Sequence, residues 1–94
     1  MTRTLIVFTS RYHTPRSVAN LVNVLRNGAT IRYIRVGQYW LGSRLVYGYI
    51  FTLTTPSLIG YQSDHASRVR TIDGPLRANA ALLGISYAGI NLSS

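Results

Sequence analysis

Arg68 and Arg70 stand one residue apart in the stretch "SLIGYQSDHASRVRT", residues 57–71, which also carries Tyr61, Gln62, Asp64 and His65. In an extended chain, alternate side chains share a side, so both guanidinium forks would face the same way. Planar, always-charged forks match phosphate oxygens, which marks this stretch as a candidate phosphate-binding segment. The blander expectation for the pair is ordinary surface charge. A second grouping joins Arg32, Tyr33 and Arg35, followed by Tyr39, Trp40 and Arg44. Strict alternation would place Arg32 with Ile34 and Tyr33 with Arg35. The chemistry expected there is phosphate contact by arginine and stacking of tyrosine on unpaired bases. The competing expectation is a solvated edge strand with Trp40 in the core.

Enzymatic chemistry finds little material. His65 beside Asp64 lacks the nucleophile and geometry of a triad, and there is neither a carboxylate pair nor a glycine-rich phosphate loop. The expectation is no enzyme, no catalytic residue and no cofactor. The chain has no cysteine, which excludes disulfides and thiolate metal sites. His13, His65, Asp64 and Asp73 make no convincing metal cage.

The charge balance is lopsided. All ten basic residues are arginine, and the two acids leave a net charge of +8 over 94 residues. Charged residues make up 13% of the chain, about half the roughly 25% of ordinary domains. A soluble surface normally mixes both signs, so this balance points to a polyanionic partner, RNA foremost. The absence of lysine and glutamate suggests strand-biased codon usage, as in small organellar genomes. The apolar runs at residues 45–53 and 78–90 fall short of the ~20 residues that span a bilayer. The opening "MTRTLIVFTSRYH" has too short an apolar run for a secretory signal and reads as a retained arm.

Among the elements that must position these residues, "TPRSVANLVNVLRNG" is the clearest helix, from Pro15 to about Arg26. Thr14 caps it, Pro15 takes the first position, and Val18, Leu21, Val22 and Leu25 form its apolar face, with Gly28 as the stop. Residues 30–42 read as an irregular extended segment. Arg44–Tyr47 and Tyr49–Thr54 read as strand runs, forming either a hairpin around Gly48 or one strand bulged there. Pro56 ends this region. Residues from Ser57 read as loop until a small-residue tail from Ala78, where a helix is open.

The order of these segments resembles the nineteenth protein of the small ribosomal subunit, a universal family. "MTRT" stands where that family has "MTRS", and "TPRSVANLV" occupies the place of "DPSLLKKV". "IRYIR", "WLG", "LVYG" and "YIFTLT" follow in order, and "LIGYQSDHASRVRT" matches "MVGHKLGEFAPTRT" in length. Departures include Gln62 for the lysine of "GHK", "SDH" for "GEF", a lost proline before the arginines, and a hairpin about three residues shorter.

The resemblance implies an α+β fold with an N-terminal helix packed on a short antiparallel β-sheet and extended N- and C-terminal arms. It implies a domain at residues 1–71 that binds rRNA, with residues 72–94 as a divergent extension. The function implied is structural: binding small-subunit rRNA in the head, near the decoding region and intersubunit side, beside the thirteenth small-subunit protein. The tail departs from the family's short basic one, and its apolar surface, not the resemblance, points to docking on a neighbouring protein, such as another ribosomal protein. The setting would be a mitochondrial ribosome in the matrix. Together with the arginine groupings it nominates Arg3, Arg32, Tyr33, Arg35, Arg44, Tyr61, Gln62, His65, Arg68 and Arg70 as RNA-binding. The alternative kept open is an accessory subunit of an organellar membrane complex, of the respiratory chain or ATP synthase, without a membrane span of its own.

Overall fold

A computed structural model describes residues 2–26, 30–54 and 65–93. The chain runs β1 (Thr2–Thr9), α1 (Pro15–Val22), β2 (Thr30–Leu41), β3 (Arg44–Thr54), α2 (His65–Leu83) and β4 (Tyr87–Ser93), with a short 3-10 turn, Asn23–Leu25, extending α1. The strands form one antiparallel sheet in the order β2-β3-β1-β4. This is a β-α-β-β-α-β arrangement, and the α+β class with a helix packed on an antiparallel sheet holds.

The two ends are strands of the sheet. Residues 2–9, read as an arm, form the central strand β1, paired to β3 on one side and β4 on the other. The reason lies in "LIVF", where Leu5 and Val7 supply the core side and the β-branched Ile6 and aromatic Phe8 favour a strand. Leu5 and Val7 point to the helices, and Ile6 and Phe8 to the opposite face. Thr71 falls inside α2, and residues 72–93 complete both the helix layer and the sheet. Leu92 and Ile85, part of the apolar tail, are buried in the chain's own core.

The core lies between the sheet and the two helices. Leu5, Val7, Tyr49, Phe51, Leu53 and Leu92 from the strands meet Val18, Leu21, Val22 and Leu25 from α1 and its extension, and Ile72, Leu76 and Ala80 from α2. Helix α1 begins as its sequence requires, with the Thr14 hydroxyl accepting the Ser17 N–H at 3.2 Å and Pro15 following. The expected stop, Gly28, lies outside the described residues, as does Pro56.

Helix α2 replaces the loop expected up to Ala78. The dipeptide Gly74–Pro75 reads locally as a turn, and Pro75 removes one backbone bond from the helix. Ile72, Leu76 and Ala80, spaced by four, bury one stripe across that interruption, and tertiary burial outweighs the local preference. Gly84, at φ +70°, closes α2, with the Ile85 N–H reaching back to the Ala80 carbonyl at 3.0 Å.

Strand β3 is continuous through Gly48, which is neither a turn nor a bulge. The hairpin turns instead at Gly42–Ser43, where Gly42 takes φ +65°. Glycine at the first of two turn positions suits a hairpin whose twist matches its strands.

Candidate nucleic-acid interface

Both helices pack on one face of the sheet, and no described helix lies on the other, whose centre at Val46, Ile50 and Phe8 is nevertheless buried. The pairing register fixes which side chains the open face carries. From β3 these are Arg44, Val46, Gly48, Ile50, Thr52 and Thr54; from β1, Thr2, Thr4, Ile6 and Phe8. Strand β2 adds Thr30 and Arg32, opposite Thr54 and Thr52, then Arg35, Gly37, Tyr39 and Leu41, opposite Ile50, Gly48, Val46 and Arg44.

A bulge at Ile34 decides the chemistry. The register shifts between Tyr33 and Arg35, so Ile34 has no partner of its own and projects outward, 54% exposed. Strict alternation paired Arg32 with Ile34; the extra residue instead brings Arg32 and Arg35 to the same face. Tyr33 is turned to the helix face, where its ring meets Phe51 edge-on at 5.7 Å. Burial and the neighbouring Tyr12 and Tyr49 push its phenol above the usual tyrosine range. Arg32, Arg35 and Arg44 are all exposed and line the β2 side of the open face.

Beside them lies an aromatic platform. Tyr39 is half-buried, and its ring lies across the facing glycines Gly37 and Gly48. A Cβ at Gly48 would sit 2.6 Å from that ring, and one at Gly37 3.2 Å from it. Phe8 props the ring edge-on at 5.7 Å. Tyr39 is thus partly exposed, with Phe8 holding its ring. Gly48→Ala should push the Tyr39 ring off its seat and destabilise the fold by about 1–3 kcal/mol, as overpacking does. Thermal unfolding of the variant checks this, with Gly37→Ala, where contact is looser, as the milder comparison.

The remaining nominated residues lie elsewhere. Arg3 is on the helix face of β1 and buried, at 6% exposure, and so is withdrawn from any surface contact. His65, Arg68 and Arg70 belong to α2, in the layer across the sheet. Being helical, Arg68 and Arg70 are about 200° apart around the axis, so they do not share a side; Arg70 donates to the Ser67 hydroxyl at 3.2 Å. Tyr61 and Gln62 lie outside the described residues. Trp40 is exposed rather than in the core.

Phe8 and Ile6 were not nominated by sequence, and Tyr39 stood in the second grouping without being named among the RNA-binding residues. The signal for Phe8 was the uninterrupted apolar run of β1. For Tyr39 the sequence signal was its place beside Trp40 and Arg44; its seat on the paired glycines Gly37 and Gly48 comes from the register.

Among the described residues Asp73 is the one carboxylate, and it too lies on α2. It accepts hydrogen bonds from Arg77 (3.3 and 3.4 Å) and from the Tyr87 hydroxyl (2.5 Å), while the Arg77 guanidinium sits 5.0 Å from the Tyr87 ring centre. Burial first, and the Asp73 contact next, raise the Tyr87 phenol far above its ordinary value. The acid is therefore engaged, on the layer away from Arg32, Arg35 and Arg44.

A second polar cluster ties the start of α1 to the α2–β4 junction. The Ser86 N–H donates to His13 Nε2 at 3.1 Å, and the Ser86 hydroxyl lies 2.9 Å from the same atom. The His13 N–H donates to the Tyr49 hydroxyl at 2.7 Å, which donates back to the His13 carbonyl at 2.5 Å. His13 also borders a cleft of about 150 Å³ with Ser17, Asn20, Leu83 and Ile85. An Nε2 that accepts an N–H carries no proton, so the neutral ring is the one built in. Burial, then the charge of Arg11, lower its pKa from 6.5. The unfolded chain therefore takes up this proton first as pH falls. Its contribution to stability is complete above the unfolded value and is lost as pH falls through the folded one. Urea midpoints from pH 7.5 down to 5 should decline, and His13→Gln should flatten that decline.

Among the described residues, no group of three histidine, aspartate or glutamate side chains is placed to hold a metal ion, and no helix is long and apolar enough to cross a membrane. No family model matches the chain, and no curated protein matches it. A comparison with solved structures found a crystal structure of the Bacillus subtilis YXEP protein, described as a dinuclear metal binding peptidase from the M20 family. It is 15% identical, with a TM-score of 0.41, over 98% of this chain and 25% of that one. The chain spans about a quarter of that protein's length, and a likeness this distant carries no argument about activity.

Proposed function

We propose that this chain is a structural RNA-binding protein that holds unpaired RNA on the open face of its sheet. One observation carries the reading. Three exposed arginines line a helix-free sheet face beside a partly exposed tyrosine ring, while the described carboxylate is engaged in the opposite layer. Arginine forks take phosphates, and an aromatic ring on a flat sheet takes the face of an unpaired base. A chain of net charge +8 adds a long-range attraction for the same partner. The roles are Arg32, Arg35 and Arg44 for phosphates and Tyr39 for a base, with Phe8 positioning Tyr39.

The sequence resemblance nominates small-subunit ribosomal RNA as the RNA, in an organellar ribosome. That part of the proposal rests on the resemblance alone. Sedimentation tests it: the protein should travel with small ribosomal subunits and be released by RNase or high salt. Co-migration with a detergent-solubilised membrane complex, insensitive to RNase, would instead favour the accessory-subunit reading.

A further inference from the structure

Trp40 is the most exposed aromatic side chain among the described residues, at 72%. It pairs across the hairpin with Leu45, 47% exposed, on the helix face of the sheet. The next rung on that face, Gln38 opposite Tyr47, lies about 7 Å inward, where Tyr12 packs edge-on against Tyr47 at 5.6 Å. Tyr12 is itself half exposed. The helix layer stops short of the hairpin tip and leaves an aromatic strip on the reverse side of the sheet.

This strip adjoins the open face. The rung beyond Trp40 and Leu45 is Leu41 opposite Arg44, which points to the other side. Arg44 therefore stands at the edge where the two surfaces meet. A strand of nucleic acid lying along Arg32, Arg35 and Arg44 reaches the hairpin tip with Trp40 just past it. A second copy of this chain fits poorly, since it would bring another +8 against this one. A polyanion with π-faces meets both the charge and the ring.

We infer that Trp40 and the strip behind it form a second stacking surface for single-stranded nucleic acid, engaged by a strand that leaves the open face over the hairpin tip past Arg44. The inference rests on the open-face reading, and it adds a length requirement. A strand too short to turn the tip binds the open face alone, whereas a longer one gains the energy of stacking on Trp40. One stacked base is worth about 1–3 kcal/mol, which is a gain of roughly 5- to 150-fold.

Trp40 is the only tryptophan, so its fluorescence reports this surface directly. The experiment compares 5′-labelled oligouridylates of about 4 and about 12 nucleotides, lengths within the range that single-strand sites cover, by anisotropy and by tryptophan emission. The expected result is that both bind, only the longer quenches Trp40, and it binds at least 5-fold tighter. In Trp40→Ala the longer oligonucleotide should fall towards the affinity of the shorter, whose binding is unchanged, and Trp40→Phe should restore part of the gain. Both lengths bound without quenching, or quenching by both, would overturn the inference and leave the open-face reading standing. A concentration-dependent change in Trp40 emission without RNA would assign the strip to self-association and likewise overturn it. Failure of both lengths to bind would overturn the open-face reading and this inference with it.

Discussion

Replacing Arg32, Arg35 and Arg44 together by alanine should weaken binding of single-stranded RNA by roughly 100-fold at about 0.1 M salt. Each phosphate contact on a single strand contributes about 0.7 to the slope of log K against log salt, so three contribute about 2. The same variant should therefore show a salt dependence flatter by about 2 units. These side chains are exposed on the edge strand and hairpin, so the fold should be little altered, and circular dichroism of the variant should match the parent. Anisotropy titrations across a salt series measure both quantities. An unchanged slope would remove all three arginines from the interface. The corresponding Arg68→Ala and Arg70→Ala changes, in the opposite layer, should leave the slope for a short oligonucleotide where it was.

The second large effect is on stability. Phe51 is 1% exposed and sits in the centre of the core on β3, with Tyr33 edge-on against it. Truncating a buried phenylalanine to alanine costs about 3–5 kcal/mol through lost burial and the cavity left behind. A domain of this length holds only about 5–14 kcal/mol in total. Phe51→Ala should thus lower Tm by some 15–30 °C and leave part of the chain unfolded at room temperature if the parent lies at the low end. Trp40→Ala removes a larger ring, yet should move stability by no more than about 0.5 kcal/mol because that ring is solvated. Parallel thermal melts of the two variants check both expectations. Equal losses would mean that Trp40 is packed in solution.

Some of this was legible in the sequence. Thr14, Pro15 and the i, i+3, i+4, i+7 apolar residues of α1 are local signals, and local signals survive into the fold. The α+β class was what the family resemblance implied, and the sheet with its two helices agrees with it. Gly42–Ser43 between "YWL" and "RLV" carries a genuine hairpin signal, but Gly48, flanked by tyrosines, competed with it. The two glycines look alike in sequence. Only pairing shows that Gly42 needs its positive φ, whereas Gly48 makes room for the Tyr39 ring.

Other features depend on partners distant in the chain. Helix α2 is hidden by Gly74–Pro75, since its stability comes from Ile72, Leu76 and Ala80 meeting residues far away in sequence. The Ile34 bulge has no local signature, yet it moves Arg35 to the face of Arg32 and takes Tyr33 away from it. For the candidate site, three of the arginines nominated from sequence, Arg32, Arg35 and Arg44, come together on one sheet face. It assigned Arg68 and Arg70 to one side by assuming an extended chain. It also left Arg3 at the surface by treating β1 as an arm.

The central claim is that unpaired RNA lies on the open sheet face, with a base on Tyr39. Photocrosslinking tests it most directly, using a short oligonucleotide containing 4-thiouridine and mass-spectrometric mapping of the adduct. Crosslinks are expected at Tyr39 and its neighbours on β2 and β3, lost in Tyr39→Ala and suppressed by high salt. Crosslinks confined to α2, around residues 65–77, would contradict it.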